Sequence, residues 1–333
     1  MRIDAVLAVI RGMAPERYQS EWDHSGVQVS AECGEIGKLA VTLDPTPEAV
    51  GRCLEWGARF VLTHHPLALS PRHPDREGPY LSVVRALMRA DCWLYAAHTS
   101  LDSAPNGPAQ WLGRELGLAD CRVLEPEHRF GVLEVGFFTP EPVDEDLVND
   151  WAERDGVWSV GLMETGELRL VCDEEAWAGL SGDISAAVGR RSDWFVRRLE
   201  APVREVGCGE VGRLPKAVSF AAFEKRLAEV LPGRWWTLCG PRPKRVRTVA
   251  YCPGSGGSLV ERAFTAGADV FITGDVKYHQ AVEAPGAVLD VGHFILEEEM
   301  VRRLAAGLAE DLGGHGVDVR FVPGRDPFAV RGA

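Results

Sequence analysis

Ala58-Arg59-Phe60-Val61-Leu62-Thr63-His64-His65-Pro66 joins a short apolar run to two adjacent histidines. The run predicts a buried strand that ends where the histidines begin. In open α/β sheets, ligands bind at this carboxyl edge of the strands. Neighbouring side chains on a strand point to opposite faces, so we expect His64 and His65 each to serve one of two adjacent ions. The alternative is a polar pair that only caps the strand end.

Composition narrows the class of protein. The 333 residues suggest two domains, one interrupted by the other, and the hydrophobic content of 46% is ordinary for a globular chain. A net charge of −13 disfavours non-specific binding to nucleic acid or to an anionic membrane. We find neither a secretory signal nor an apolar run long enough to span a membrane. The eight cysteines form no Cys-x-x-Cys pair, which indicates reduced thiols and a cytoplasmic protein.

The first segment, residues 1–125, alternates helical and strand patterns. This alternation predicts a mainly parallel sheet built from βαβ units. The expected helices are 4–13, 46–56 and 80–90, and the expected strands are 39–44, 58–63 and 92–97.

The pattern changes in residues 126–205, which we expect to form an inserted α+β domain. Its predicted strands are 131–138, 168–172 and 194–199, and its predicted helices are 144–153 and 177–188. The charged, glycine-rich stretch 205–216 is expected to be the exit linker.

Residues 206–333 return to the first pattern. Predicted strands at 247–252, 270–273 and 288–291 alternate with helices at 220–230 and 258–266. The two outer segments are therefore expected to be similar α/β lobes of one discontinuous domain, with the small insert between them.

Further candidate ligands follow other predicted strands. His98 and Asp102 follow the strand at 92–97, although Asp102 also suits a cap of the helix after it. His293 and Glu297 are spaced i, i+4, which places them on one helix face; the alternative is an exposed His–Glu pair. Imidazole and carboxylate ligands without cysteine suit zinc, manganese, iron, cobalt or nickel. Two such ions close together can activate a water and stabilise an oxyanion.

Three loops have less specific patterns. Gly254-Ser-Gly-Gly-Ser258 fits anion binding at a helix start and a tight packing turn equally well. Gly274-Asp-Val-Lys-Tyr-His279 contains groups that can orient a substrate or transfer protons, as well as ordinary caps. Trp22-Asp-His-Ser-Gly26 is predicted to be a turn whose Asp or Ser is structural.

Taken together, the motifs resemble the Nif-three-like family, also called the GTP cyclohydrolase I type 2 homologues. The resemblance covers both outer segments and is carried by ordered motifs: Glu21-Trp-Asp-His-Ser-Gly-Val-Gln28, Val41-Thr-Leu-Asp-Pro-Thr46, Thr63-His-His-Pro66, Ala97-His-Thr-Ser-Leu-Asp102, Ser255-Gly-Gly-Ser258, Gly274-Asp-Val-Lys-Tyr-His279, Gly292-His293 with Glu297, and Asp326-Pro-Phe328. It implies a dinuclear site with Glu297 bridging, and the ligands His64, His65, Asp102, His293 and Glu297. It also implies a homohexameric ring and a middle insert similar to PII or CutA-like ferredoxin-type folds.

Two functions of different classes follow. The first is a metal-dependent hydrolase of a small nucleotide-like or phosphorylated molecule, with His98 or His279 moving protons; the family name suggests a GTP cyclohydrolase-like reaction. The second is a metal-binding hexameric regulator, metal store or scaffold without turnover. Binding of nucleic acid through the hole of the ring is disfavoured by the net charge of −13.

Overall fold

A computed structural model of the chain describes residues 1–138, 143–163, 166–187, 194–233 and 235–329. The chain divides into two compact units. One combines Met1–Glu127 with Val206–Ala333, and the other is His128–Glu205.

The helices alternate with strands along most of the chain. The helices are α1 Ile3–Met13, α2 Pro47–Glu55, α3 Pro79–Ala90, α4 Thr99–Asp102, α5 Trp111–Glu115, α6 Glu145–Ala152, α7 Glu174–Ala187, α8 Phe220–Val230, α9 Val260–Thr265, α10 Tyr278–Val282 and α11 His293–Gly313. The strands are β1 Gly26–Val29, β2 Lys38–Thr42, β3 Phe60–Thr63, β4 Trp93–Ala96, β5 Ala119–Phe138, β6 Val157–Leu162, β7 Glu167–Asp173, β8 Trp194–Ser219, β9 Thr237–Cys239, β10 Arg245–Tyr251, β11 Val270–Thr273, β12 Ala287–Asp290 and β13 Asp318–Phe321.

The first sheet has the order β1-β4-β3-β2-β13. The strands β4, β3, β2 and β13 are parallel, and β1 adds an antiparallel edge. Thr42 pairs with Thr63, which pairs in turn with Ala96, so neighbouring strands end level with one another. This register brings the residues that follow β2, β3 and β4 to one edge of the sheet.

Both faces of the first sheet are covered, which explains its continuous apolar strands. Leu39 and Val41 of β2 enter a central core, whereas Ala40 between them packs with Val50 of α2 and Val83 of α3 on the opposite face. The alternation follows from the twofold period of a strand.

The second sheet of the first unit runs in the order β8-β10-β11-β12-β9. Its central strands β10, β11 and β12 are parallel, and β8 and β9 flank them in antiparallel fashion. The protein is therefore a mixed α/β fold with two sheets. Among the described residues, no helix has both the length and the apolar character needed to cross a membrane.

Helix α11 carries one candidate motif and connects the two sheets of the first unit. Its residues Met300, Leu304 and Leu308 lie in the central core, which also includes Leu39 of the first sheet and Ile272 of the second. After α11 the chain forms β13, which pairs with β2. Strand β13 of the segment 206–333 thus belongs to the first sheet. A helix of 21 residues is about 30 Å long and carries the chain back to that sheet.

The stretch 205–216, predicted to be a linker, lies within β8 and pairs antiparallel with β10. The linker prediction was wrong because glycines and charged residues are typical of linkers, and here they lie in a strand. Gly207 packs directly against the backbone of Glu125 and Glu127, a close approach that a side chain would block. The stretch is glycine-rich because another strand lies against it.

The second unit combines the element order β5-α6-β6-β7-α7-β8 with the strand order β6-β7-β5-β8. An order of βαββαβ is that of ferredoxin-like units. Its own core includes Val135 of β5, Leu170 of β7, Trp151 of α6 and Ile184 of α7.

Candidate metal centre

Local structure fixes the two adjacent histidines at the edge of the first sheet. The amide of His64 donates to Thr42 O at 3.4 Å, and the amide of His65 donates to Leu43 O at 3.0 Å. Both residues therefore extend the pairing of β3 with β2 just past the end of the strand. His64 is fully buried, and His65 is partly buried.

The remaining candidates come from two helices, α4 and α11. His98 is the N-cap of α4, and Asp102 is the last residue of that short helix. His293 is the first residue of α11, and Glu297 lies one turn later with 4% of its surface exposed. The i, i+4 spacing places these two on one helix face, and Glu297 Oε2 lies 2.7 Å from His293 Nε2.

Two overlapping groups of side-chain atoms could each hold a metal ion. One consists of His64, His65 and His98, and the other of His65, His293 and Glu297; the ligand atoms within each group lie within 4.8 Å of one another. The Nε2 atoms of His65 and His293 are 3.4 Å apart. Residues from both sheets thus meet at one site within the first unit.

Glu297 is central to this arrangement. Its Oε2 lies 3.1 Å from His65 Nε2, on the side of His293, whereas its Oε1 lies 3.6 Å from His64 Nε2. Asp102 Oδ1 approaches the same His64 Nε2 at 3.8 Å. A carboxylate whose two oxygens face different sets of ligands has the geometry needed to bridge two ions.

The opposite nitrogen of each imidazole is already used. Each Nδ1 faces an oxygen acceptor: His64 with Ala97 O at 2.9 Å, His65 with Asp44 at 2.8 Å, His98 with Asp23 at 2.9 Å, and His293 with Asp275 at 2.7 Å. An Nδ1–H that donates to oxygen leaves Nε2 as the nitrogen with a lone pair, which is how proteins prepare histidine for a metal. Four imidazoles in this state at one site are difficult to explain by packing alone.

Three buried atoms at the centre have no hydrogen-bond partner among the residues that the structure describes: His64 Nε2, Asp102 Oδ1 and Glu297 Oε2. Glu297 Oε2 lies 2.7 Å from His293 Nε2 and 3.1 Å from His65 Nε2. Unpaired buried polar atoms are costly in a protein interior. The residues present therefore fit one or more divalent cations, which would pair with all three atoms.

The cluster also has the electrostatics of a cation site. Burial lowers the pKa of His65, but the carboxylates of Asp44 and Glu297 outweigh it and raise that pKa to about 10. Burial likewise lowers the pKa of His293, but Glu297 and Asp275 raise it to about 9. Burial raises the pKa of Glu297, yet the surrounding imidazoles hold it well below its usual value. A charged carboxylate at this depth requires positive charge nearby, from protons or from a metal.

Glycines allow the second sheet to approach the site. A side chain at Gly254 would collide with Glu297 Oε1, and one at Gly274 would collide with the backbone of His293. The amide of Gly256 donates to Thr273 Oγ1 at 3.0 Å. These contacts support the tight packing turn at Gly254–Ser258. From the sequence alone, a packing turn and anion binding fitted this loop equally well.

The two predicted proton-transfer residues lie in different places. His98 falls within the first group of candidate ligands, beside Trp22, whose exposed indole meets it edge-on at 5.7 Å. His279 is exposed on α10, belongs to neither group among the described residues, and contacts the Tyr278 ring.

Sequence reasoning did not identify the acceptors that orient the imidazoles. Asp44, Asp23 and Asp275 each lie in a loop, where an aspartate is usually a cap. The available signal was position, since Asp44 and Asp275 each follow a strand by two residues at the edge that carries the histidines. Asp23 gave no such signal, because it precedes β1 and reaches His98 across 75 residues of chain.

Fold and site together define a two-sheet α/β protein with a buried cluster of histidines and carboxylates suited to metal. The family profile described as Duf34/NIF3 (NGG1p interacting factor 3) matches residues 1–327. The chain belongs to this family.

Curated relatives extend over nearly the same length. A protein of Bacillus subtilis (strain 168) is 25% identical, with 90% of this chain and 91% of that protein covered. One of Streptomyces coelicolor is 26% identical, with 96% and 90% covered. Both are called "GTP cyclohydrolase 1 type 2 homolog".

Solved structures share the fold. A Bacillus cereus protein related to NIF3 superposes with a TM-score of 0.82 at 23% identity over 99% of both chains. Reduced HcgD from Methanocaldococcus jannaschii superposes with a TM-score of 0.66 at 20% identity, covering 97% of this chain and 98% of that one.

Proposed function

We propose that this protein is a dinuclear metal-dependent hydrolase of a small nucleotide-like or phosphorylated molecule. The observation that carries the proposal is the buried Glu297 carboxylate, whose two oxygens face different imidazoles. The Nδ1 atoms of the four clustered imidazoles already face oxygen acceptors. The proposed ligands are His64, His65, Asp102, His293 and Glu297, with Glu297 bridging.

Two divalent ions at such a site would activate water and stabilise negative charge that develops on the substrate. The chain's own residues prepare the site for this. Asp44 and Asp275 hold the rings of His65 and His293 in place, and their charge keeps the imidazole Nε2 atoms basic. We propose that His98, whose Nδ1 contacts Asp23 Oδ1 at 2.9 Å, accepts or returns a proton at its Nε2. His279 is a second candidate for proton transfer from the exposed side.

The substrate class is proposed from the names of the relatives. Proteins that align over most of this chain are called GTP cyclohydrolase 1 type 2 homologs, which favours a nucleotide such as GTP as the first compound to test. The ion is proposed to be zinc, manganese, iron, cobalt or nickel, because the ligands are imidazole and carboxylate.

Turnover of GTP by metal-loaded protein, followed by chromatography of the products, tests the proposal. Glu297→Gln keeps the shape of the side chain but removes the bridging charge, so hydrolysis is expected to fall by several orders of magnitude. Glu310→Gln, an exposed position near the other end of α11, is the matched control and should leave the rate unchanged. Equal rates in the two variants would contradict the proposal.

The assembly and the insert belong to the same proposal. We propose a homohexameric ring, to be tested by the mass of the protein in solution, and a PII/CutA-like insert. The βαββαβ order of the second unit supports the latter. If metal binds but no nucleotide or phosphoester is turned over, the alternative of a metal-binding regulator, store or scaffold takes its place.

A further inference from the structure

A cavity of about 450 Å³ opens beside the metal centre. The loop from β2 to α2 forms one wall with Asp44 and Thr46, and the loop from β3 to α3 forms the other. Because β2 and β3 are parallel neighbours, both loops leave the same edge of the sheet, where α/β proteins bind ligands. His65 is part of the lining, so the cavity reaches a proposed metal ligand.

Arg72 lies in the second wall and is held against the start of α3. Its guanidinium carbon is 4.6 Å from the centre of the Tyr80 ring, and Tyr80 Oη donates to Arg72 O at 3.1 Å. Both residues line the cavity. One face of the guanidinium is therefore covered by an aromatic ring, while its N–H edge is available for other partners.

Among the described residues, the carboxylates that line the cavity are paired with groups other than Arg72. The lining carboxylate of Glu77 is taken by Arg85, whose Nη1 lies 2.9 and 3.1 Å from its two oxygens. The carboxylate of Asp44 accepts the hydrogen bond from His65. Within the described part of the chain, no carboxylate oxygen lies within 4.0 Å of the Arg72 guanidinium.

We propose that this cavity binds the phosphate group of the substrate, with Arg72 as its anchor and the reacting bond directed toward the metal centre at His65. The inference rests on the proposed function and narrows its substrate to a phosphate-bearing compound. A guanidinium matches phosphate oxygens in two parallel hydrogen bonds, and stacking on Tyr80 pre-organises it for that contact. The cavity volume lies in the range of small-molecule sites.

Calorimetric titration of the metal-loaded full-length protein tests the proposal with GMP, guanosine and inorganic phosphate as probes. Arg72→Gln is expected to weaken GMP binding about tenfold or more, because a charge-assisted hydrogen bond is lost. Guanosine should bind no more weakly to the variant than to the wild type. Arg72→Lys should recover part of the affinity for GMP. The matched control is Arg76→Gln. Arg76 is an exposed arginine of the same loop that lies outside the cavity lining, so the variant protein should bind GMP like the wild type.

Unchanged GMP affinity in Arg72→Gln would overturn the inference, as would equal loss in Arg76→Gln or an absence of GMP and phosphate binding to the wild type. Titration of metal-free protein with inorganic phosphate separates this result from failure of the proposed function. Phosphate binding that depends on Arg72 without metal supports the anchor even if no hydrolysis is found. Metal binding and turnover that do not depend on Arg72 would overturn the anchor alone.

Discussion

At the scale of single residues, the candidate centre depends on hydrogen-bond acceptors that lie outside the proposed ligand set. The Nδ1 atoms of His65, His98 and His293 each face an aspartate carboxylate, from Asp44, Asp23 and Asp275 respectively. The Nδ1 of His64 faces the backbone carbonyl of Ala97 instead. These contacts fix the orientation of each ring, and in a neutral imidazole a hydrogen on Nδ1 leaves the lone pair on Nε2.

Asp23 is the most extensively bonded of these acceptors. It accepts from His98 Nδ1, from the amide and hydroxyl of Thr99, and from Ser25 Oγ. Asp23→Asn places an NH₂ group among these donors, so we expect a loss of about 2 kcal/mol in the free energy of unfolding at neutral pH. Urea unfolding followed by fluorescence measures it. Asp4→Asn, at an exposed residue paired with Arg2, is the control, and equal stability of the two variants would contradict this account.

Some residues of the candidate site could be predicted from the sequence, and others could not. The histidines were identified because they follow apolar strands, which is a local pattern. Their acceptors were missed because a turn aspartate reads as a cap, and only the folded chain reveals that Asp23 lies beside His98. Arg72 gave no signal at all, since a lone arginine in a polar loop is usually solvated.

At the scale of elements, the site depends on the level ends of the strands and on close approach of the turn after β10. Gly254 has a φ of +65°, and any side chain there would collide with Glu297 Oε1. The turn can therefore lie this close to Glu297 of α11 only with glycine at position 254.

Gly254→Ala is expected to reduce metal content, because the new methyl group displaces the Glu297 carboxylate. Gly267→Ala is the matched control. Gly267 has a φ of +89°, but a methyl group there meets no atom within 4 Å. Both variants should lose about 1 kcal/mol of stability from backbone strain, and only Gly254→Ala should also lose metal, as measured by elemental analysis. Full metal content in Gly254→Ala would show that the turn does not constrain Glu297.

Strands were predicted correctly where a short run of apolar residues marks them. The strand predicted at 270–273 agrees with β11, and the helix implied by the i, i+4 spacing of His293 and Glu297 agrees with α11. The long strand β8 was mistaken for a linker in part, because its glycines serve contact with β5 rather than flexibility. Pairing with a distant strand leaves no local signature.

At the scale of the whole molecule, the second unit begins and ends at neighbouring positions. Gly207 packs against Glu125 and Glu127, and Gly212 packs against Ala119 and Cys121, so β5 and β8 run antiparallel where they belong to the first unit. A short turn can therefore join residue 127 to residue 206.

Replacing residues 128–205 with Asn-Gly, a favoured two-residue hairpin turn, is expected to leave a folded first unit. The cores around α11 and on the outer faces of both sheets contain residues of that unit alone. Cooperative thermal unfolding and metal content equal to that of the full chain would support independence of the site from the insert. An unfolded or metal-free product would show that the insert is required.

Metal content tests the central claim most directly. Inductively coupled plasma mass spectrometry of untagged protein should find about two divalent ions per chain. His64→Ala and Glu297→Ala should each lose metal, whereas His315→Ala, which removes an exposed imidazole outside both candidate groups, should retain it. If the wild type holds no metal and takes up none of manganese, zinc, iron, cobalt or nickel, the proposed dinuclear centre is contradicted.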